Sequence, residues 1–177
     1  MGIYHQERLC LKLIKMRWDF NMDHTQPFKD RIKCNLAEDK FEEYAIGNNL
    51  TYFRYGTDQL NSGIEGRDFI KIPKLIRNSP DYILIKNNAN FIEVKGCKDS
   101  VGIKLKDIES YNFWNKIMDV YYFIYSTSYN HIVIVKHNKL KSILEFCEIK
   151  QYHDHTKYDD KKYYQIHFTE LEEISCL

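Results

Sequence analysis

The sequence predicts a mixed α/β fold in which helices flank a central mixed β-sheet, in the manner of a three-layer sandwich. Three observations favour it. Helical and strand-type segments alternate along the chain. The strand-type segments are short and rich in aromatic and β-branched residues. The clearest pair of them forms an antiparallel hairpin at 81–95. This alternation is typical of one sheet whose faces are covered by helices.

The composition is that of an ordinary globular domain. The chain has 177 residues, of which 44% are hydrophobic and 29% charged, which suits a single core. We expect one domain over 1–177, with its core at about 36–136, an N-terminal helical extension at 1–35 and a C-terminal helix and strand at 137–177. The formal net charge of +1 neither favours nor excludes nucleic acid, because a binding groove needs only local positive charge.

Cysteine usage and hydropathy indicate an intracellular protein. The five cysteines are widely spaced and form no C-x-x-C pair, which favours reduced thiols over a disulfide framework or a structural zinc site. No apolar run reaches membrane-spanning length, and the chain does not begin with a signal peptide. We therefore expect a cytoplasmic protein without a membrane partner.

The N-terminal segment fits two structures. As a helix, residues 7–18 would form an apolar stripe; as a strand, their apolar and polar side chains would alternate between the two faces. The helix is favoured. In the helix, Arg8, Lys12 and Lys15 lie beside the apolar stripe. A polar stretch at 21–33 predicts a loop.

The next segments lead up to the hairpin. Residues 36–50 predict a helix with an apolar side, ended by Gly47 and the two asparagines after it. Residues 51–56 have the aromatic content of a strand. Residues 57–79 carry Gly63, Gly66 and Pro73 and are expected to be irregular.

The C-terminal half predicts further helices and strands. Helical patterns cover 103–118 and 139–149, and Thr169-x-x-Glu172 is a capping box for a short last helix. Strand patterns cover 120–126 and 131–136, joined at 127–130, and a last strand covers 163–168.

The hairpin places charged side chains on one face of an otherwise apolar strand. Glu93 and Lys95 are two residues apart and project together. A three-residue loop at Asn88–Asn90 would pair Ile83 with Lys95 and bring Asp81 onto the face of Glu93. A two- or four-residue loop would place Asp81 on the opposite face unless a bend intervened.

Two carboxylates at this position suggest a metal site. Charges on an apolar strand are costly unless they are paired, bound to metal or exposed at a strand end. Asp81 and Glu93 supply the hard oxygen ligands that Mg²⁺ prefers, and Lys95 beside them could orient water or stabilise the transition state. The alternative is an ordinary Glu–Lys ion pair at a strand edge, with Asp81 a turn residue.

The pattern P-D-(x)11-E-x-K resembles the PD-(D/E)XK nuclease superfamily, with Pro80, Asp81, Glu93 and Lys95 at the matching positions. The resemblance implies a restriction-endonuclease-like α/β sandwich and hydrolysis of phosphodiesters with Mg²⁺ or Mn²⁺. It also implies that Asp81, Glu93 and the backbone carbonyl of Val94 bind the metal and that Lys95 assists the nucleophile.

The resemblance further implies an acidic residue from the preceding helix. The segment FEEYA is similar to the family pattern F-E-x-x-(A/V) and favours Glu42, with Glu38 and Glu43 as alternatives. The segment EVKGCKDS is similar to nucleases of the virus-type replication-repair group and to archaeal Holliday-junction resolvases. Those often carry Gln in the following helix, where this chain has Lys104, Lys106 and Glu109.

The expected function is therefore that of an endodeoxyribonuclease acting on duplex or branched DNA in repair, recombination or mobile-element processing. A single site cuts one strand, so cleavage of both strands favours a homodimer. The residues expected to contact phosphates are basic: Arg8, Lys12, Lys15, Lys104 and Lys106.

Two other functions remain open from the residues. One is a catalytically inactive nucleic-acid-binding or assembly module of the same fold. The other is a metal-binding protein that uses the cluster at 153–160, where two His and three Asp residues lie close in sequence.

Overall fold

A computed structural model of the chain describes residues 28–56, 68, 70–152 and 161–172. The predicted helix at 7–18, which carries Arg8, Lys12 and Lys15, and the cluster at 153–160 lie outside the described residues. The chain divides into two compact units, Met1–Asp30 and Arg31–Leu177. Of the first unit, the structure describes only residues 28–30, which begin one helix. A single domain over 1–177 stays a prediction.

The described part of the second unit alternates helices and strands. In chain order the elements are α1 (Phe28–Gly47), β1 (Thr51–Arg54), α2 (Lys74–Arg77), β2 (Tyr82–Ile85), β3 (Ala89–Cys97), β4 (Ser100–Lys104), α3 (Leu105–Trp114), β5 (Val120–Ser126), β6 (His131–Lys136), α4 (His137–Leu144), β7 (Ile149–Tyr152), β8 (Lys161–His167) and α5 (Phe168–Glu172).

Two sheets organise these strands. The larger has the order β1-β2-β3-β5-β6, in which β3 and β5 are parallel and the other neighbours are antiparallel. The smaller sheet, β4-β8-β7, is antiparallel. The predicted mixed α/β fold with a central mixed sheet is confirmed, whereas β4, β7 and the smaller sheet were not predicted.

Apolar side chains cover both faces of the central sheet. On one face Ala37 and Phe41 of α1 pack against Tyr82, Ile92 and Phe123. The other face packs against α3, α4, α5 and the smaller sheet. The buried residues of this second core are Ile83, Phe91, Cys97, Val101, Ile103, Ile108, Tyr111, Trp114, Val120, Tyr122, Ile124, Val133, Val135, Leu140, Leu144, Ile166, Phe168 and Leu171.

Helix α1 begins earlier than predicted. The expected loop at 21–33 is wrong from Phe28 onward, because the polar composition of that stretch gives no apolar stripe to detect. The predicted end is confirmed: Leu50 N–H donates to the Ala45 carbonyl at 2.9 Å, and Asn49 adopts a left-handed φ of 54°. Asparagine tolerates this conformation better than other non-glycine residues.

The remaining boundaries differ by a few residues. The helix predicted at 103–118 runs over Leu105–Trp114, since the residues before it form β4. The helix predicted at 139–149 runs over His137–Leu144. The strands at 51–56, 120–126, 131–136 and 163–168 are present. Among the described residues, no helix combines the length and the apolar character needed to cross a bilayer.

Candidate functional site

The hairpin register brings Asp81 opposite Glu93. Strands β2 and β3 pair Tyr82 with Ile92 and Ile85 with Ala89, so the loop is at 86–88 rather than at 88–90. Ile83 pairs with Phe91 and not, as predicted, with Lys95, so the predicted register is wrong by four residues. Because four is an even number, every side chain keeps its predicted face. One more step along the observed register places Asp81 directly across from Glu93.

The backbone around Asp81 brings its carboxylate and the Val94 carbonyl to the same strand edge. Strand β2 begins only at Tyr82, and the Asp81 side chain replaces the missing ladder bond: its Oδ2 accepts the Val94 N–H at 2.8 Å. In a strand the N–H and C=O of one residue face the same edge. The Val94 carbonyl therefore also faces the edge occupied by Asp81.

The neighbouring strand holds Asp81 from the other side. The Asp81 carbonyl accepts hydrogen bonds from Tyr55 N–H at 2.8 Å and Gly56 N–H at 3.0 Å. Its main chain is thus fixed between β1 and β3. The carboxylate is positioned by rigid sheet edges rather than by a loop.

Glu93 is held by two donors. It is 5% exposed, its Oε1 accepts from the Lys95 ammonium, and its Oε2 accepts from the Tyr111 hydroxyl of α3. Lys95 Nζ also lies 3.6 Å from Oδ2 of Asp107, another buried residue of α3. Asp107 and Tyr111 are one helical turn apart, so both reach the same place.

The electrostatics are those of carboxylates removed from water. Burial raises the pKa of Glu93, and the nearby charge of Asp81 raises it further. Burial also raises the pKa of Asp81, against the opposing effect of Lys95. Burial lowers the pKa of Lys95, but the attraction of Glu93 and then Asp107 outweighs it, and the pKa is raised. Three carboxyl groups, those of Asp81, Glu93 and Asp107, thus lie around the single ammonium of Lys95. This excess of acidic groups favours the binding of a cation.

The helix acids take different positions. Glu38 lines a notch together with Arg54, Gly56 and Asp81. The Arg54 guanidinium donates a hydrogen bond to the Glu38 carboxylate. Glu42 instead accepts a hydrogen bond from the Tyr82 hydroxyl at 3.0 Å. That hydroxyl belongs to the sheet face covered by α1, opposite the face of Glu93. The remaining alternative, Glu43, is exposed and lies 2.7 Å from the Lys40 ammonium.

The residues present fit a magnesium-type ion. Asp81, Glu93 and the Val94 carbonyl offer hard oxygen ligands at one strand end. In the part of the chain that the structure describes, no three His, Cys, Asp or Glu side chains converge as a ready metal cluster. Mg²⁺ is commonly held by one or two carboxylates and completes its shell with water and substrate phosphate, so this donor set is sufficient.

Basic residues lie next to the site. Lys104 immediately precedes α3; burial lowers its pKa and the charge of Lys95 lowers it further. Lys106 follows in the first turn of the same helix and is exposed. Of the two predicted phosphate contacts on this side, Lys104 is thus close enough to Lys95 to be affected by its charge, whereas Arg8, Lys12 and Lys15 lie outside the described residues.

Comparison with known proteins gives fold-level matches. No protein-family profile and no curated protein matches the chain. A Holliday junction resolvase of Archaeoglobus fulgidus, Hjc, is 11% identical with a TM-score of 0.46, and the match covers 78% of this chain and 87% of the resolvase. A nuclease from a fusselovirus is 11% identical with a TM-score of 0.44, covering 85% of this chain and 88% of that one. The likeness to the PD-(D/E)XK nucleases rests on the sequence pattern of Pro80, Asp81, Glu93 and Lys95.

Two residues beside the PD-(D/E)XK motif were not found by sequence reasoning. Tyr111 is indistinguishable in sequence from an ordinary core aromatic of its helix, and its ring does pack against Tyr122. Asp107 was not singled out, although it lies four residues before Tyr111 on the buried side of that helix. A carboxylate at a buried helical position is the signal that could have identified it.

Proposed function

We propose that this chain is a cytoplasmic endodeoxyribonuclease that hydrolyses DNA phosphodiester bonds with Mg²⁺ or Mn²⁺. One observation carries the proposal. Asp81 and Glu93 face each other where β2 begins, with the Val94 N–H bonded to Asp81 and Lys95 paired to Glu93. Repair, recombination and mobile-element processing are the settings in which a compact nuclease of this kind acts.

The residues divide the chemistry between them. Asp81, Glu93 and the Val94 carbonyl would hold the ion, and Glu38 supplies the helix acid, because it lines the notch beside Asp81. Glu42 remains the alternative for that role. When bound, the ion polarises the phosphodiester and lowers the pKa of a bound water.

Lys95 acts as a donor and not as a base. Its pKa is raised by Glu93 and Asp107 against the effect of burial, so the ammonium stays protonated. A fixed ammonium can orient the attacking water and stabilise the negative charge that develops on the phosphate.

Lys104 and Lys106 are proposed to bind the DNA backbone. Both lie at the start of α3, the helix that contacts Glu93 and Lys95. Such contacts fix the position of the strand without selecting a sequence. Arg8, Lys12 and Lys15 are proposed as further phosphate contacts, and a homodimer would allow both strands of a duplex or junction to be cut.

The test is cleavage of supercoiled plasmid and of a four-way junction with Mg²⁺. Asp81→Asn, Glu93→Gln and Lys95→Met should each reduce the rate by about 100-fold or more, because each removes a ligand or a charge-stabilising donor. Glu148→Gln, an exposed carboxylate elsewhere, should leave the rate unchanged. Absence of metal-dependent cleavage of plasmid, junction, single-stranded DNA and RNA would contradict the proposal.

The same assay distinguishes the helix acids. Glu38→Gln should slow cleavage by about tenfold or more, since the residue lines the notch beside Asp81. Glu42→Gln is the matched comparison from the same helix and should slow it less. The reverse order would assign the role to Glu42.

A second candidate function has one observation in its favour. Both oxygens of Glu93 are engaged, by Lys95 and by Tyr111. A protein that retains this pairing permanently would be an inactive nucleic-acid-binding module. It would bind branched DNA equally well with and without Asp81→Asn and would cut nothing in Mg²⁺ or Mn²⁺.

A further inference from the structure

The ion pair between Glu93 and Lys95 occupies part of the proposed metal site. Glu93 Oε1 accepts from the Lys95 ammonium, and Oε2 accepts from Tyr111. A metal ion bound at Glu93 would weaken the contact with Lys95, because two cations close to one carboxylate repel each other. Lys95 then requires another partner.

Asp107 lies where that partner is needed. Its Oδ2 is 3.6 Å from Lys95 Nζ, which is within ion-pair range but longer than a direct hydrogen bond. Lys95 is largely buried, and a buried ammonium without a partner is strongly destabilised. A small rotation of the Lys95 side chain would replace Glu93 by Asp107.

Helix α3 fixes Asp107 independently of Glu93. Asp107 is in the first turn of α3, where the helix dipole stabilises a carboxylate. It is 8% exposed, and Ile108 beside it belongs to the core that anchors the helix to the sheet. The carboxylate is therefore held at one place while Lys95 moves.

We propose that Asp107 is a positioning residue for Lys95: it receives the ammonium when Glu93 binds the metal ion and so keeps Lys95 beside the reacting phosphate. The inference rests on the proposed metal-dependent nuclease function. Asp107 acts through Lys95 and does not itself bind the ion.

The test is a double-mutant cycle on the affinity for Mn²⁺ without DNA, measured by titration calorimetry. With Lys95 present, Asp107→Asn should weaken Mn²⁺ binding by about tenfold, because the displaced ammonium has no partner. In the Lys95→Met background the same change should alter the affinity by less than about twofold. Glu109→Gln removes an equal charge from the exposed side of the same helix and should have no effect in either background.

The outcomes separate the inference from the function on which it rests. An equal loss of affinity in both backgrounds would mean that Asp107 acts on the ion directly, and would overturn the inference alone. Absence of Mn²⁺ binding that depends on Asp81 would overturn the proposed function and the inference with it. Asp107→Glu retains the charge and should keep the affinity within about threefold of the original; a loss as large as that of Asp107→Asn would also overturn the inference.

Discussion

At the scale of single residues, Gly56 is where the chain after β1 lies against the backbone of Asp81. Its N–H donates to the Asp81 carbonyl, and a Cβ built on it would lie 3.2 Å from Asp81 Cα and 3.4 Å from the Pro80 carbonyl oxygen. These are backbone atoms, which cannot rotate away. The absence of a side chain at Gly56 therefore allows Asp81 to lie where it faces Glu93.

We predict that Gly56→Ala both slows cleavage and lowers the free energy of unfolding. The added methyl group displaces Asp81 by a few tenths of an ångström, and small misplacement of a catalytic group costs on the order of tenfold or more in rate. The overpacking should cost about 1–3 kcal/mol in the free energy of unfolding. Plasmid nicking and urea denaturation on the same preparation measure the two effects.

The control for Gly56→Ala is a glycine with more room. A Cβ on Gly102 would meet only the Tyr163 ring, at 3.4 Å, away from the site. Gly102→Ala should leave the nicking rate unchanged. Equal rates for the two variants would show that Asp81 tolerates the displacement.

At the scale of elements, the hairpin shows what sequence could and could not define. The apolar runs on either side of the turn predicted two antiparallel strands, and these are present. The position of the turn was wrong, because Asn87, Asn88 and Asn90 all tolerate turn conformations and do not select one loop. The face of Asp81 was nevertheless predicted, since the error was an even number of residues.

The smaller sheet was missed for a related reason. Strand β4 and strand β7 are five and four residues long, and neither has enough alternating apolar residues to be distinguished from the helix beside it. In addition, β4 pairs with β8, a strand distant from it in sequence. Asp107 was missed with them, because its role becomes visible only when α3 is placed against Lys95.

Helix α4 carries a buried histidine that predicts how stability depends on pH. His137 is fully buried: Nδ1 lies 3.3 Å from the Tyr122 hydroxyl and Nε2 lies 3.1 Å from Asn112 Oδ1, while the Tyr111 ring packs beside it. Burial, and then the charge of Lys141, lower its pKa from 6.5 to about 4. The unfolded chain therefore takes up a proton between these pH values that the folded chain does not.

We predict that the free energy of unfolding falls as the pH is lowered from 6.5 to 4.5, by about 2 kcal/mol from this residue alone. The sign follows because the unfolded state binds more protons in that window, so that acidification favours unfolding. Urea denaturation at several pH values should show a shallower dependence for His137→Gln. The exposed His167 provides the comparison: His167→Gln should retain the original slope, and equal slopes for all three proteins would contradict the prediction.

At the scale of the whole molecule, the fold concentrates charge that the composition does not reveal. The formal net charge is +1, yet Asp81, Glu93 and Asp107 meet around Lys95 at one end of the central sheet. The parallel pair of β3 and β5 requires a crossover, and α3 is part of it. The crossover therefore brings the polar side chains of α3, Asp107 and Tyr111, to the strand that carries Glu93.

This concentration of negative charge predicts that the folded protein is stabilised by divalent ions. Excess carboxylate charge raises the free energy of the folded state, and an ion that binds only that state lowers it by about 2.7 kcal/mol at a concentration 100 times its Kd. For a chain of this size the gain corresponds to a rise in Tm of roughly 5–10 °C. Differential scanning calorimetry with Mn²⁺, at ionic strength matched with NaCl, measures it. Asp81→Asn and Glu93→Gln should abolish the rise; an equal rise in both variants would place the stabilising ion elsewhere and remove the main electrostatic support for the proposed site.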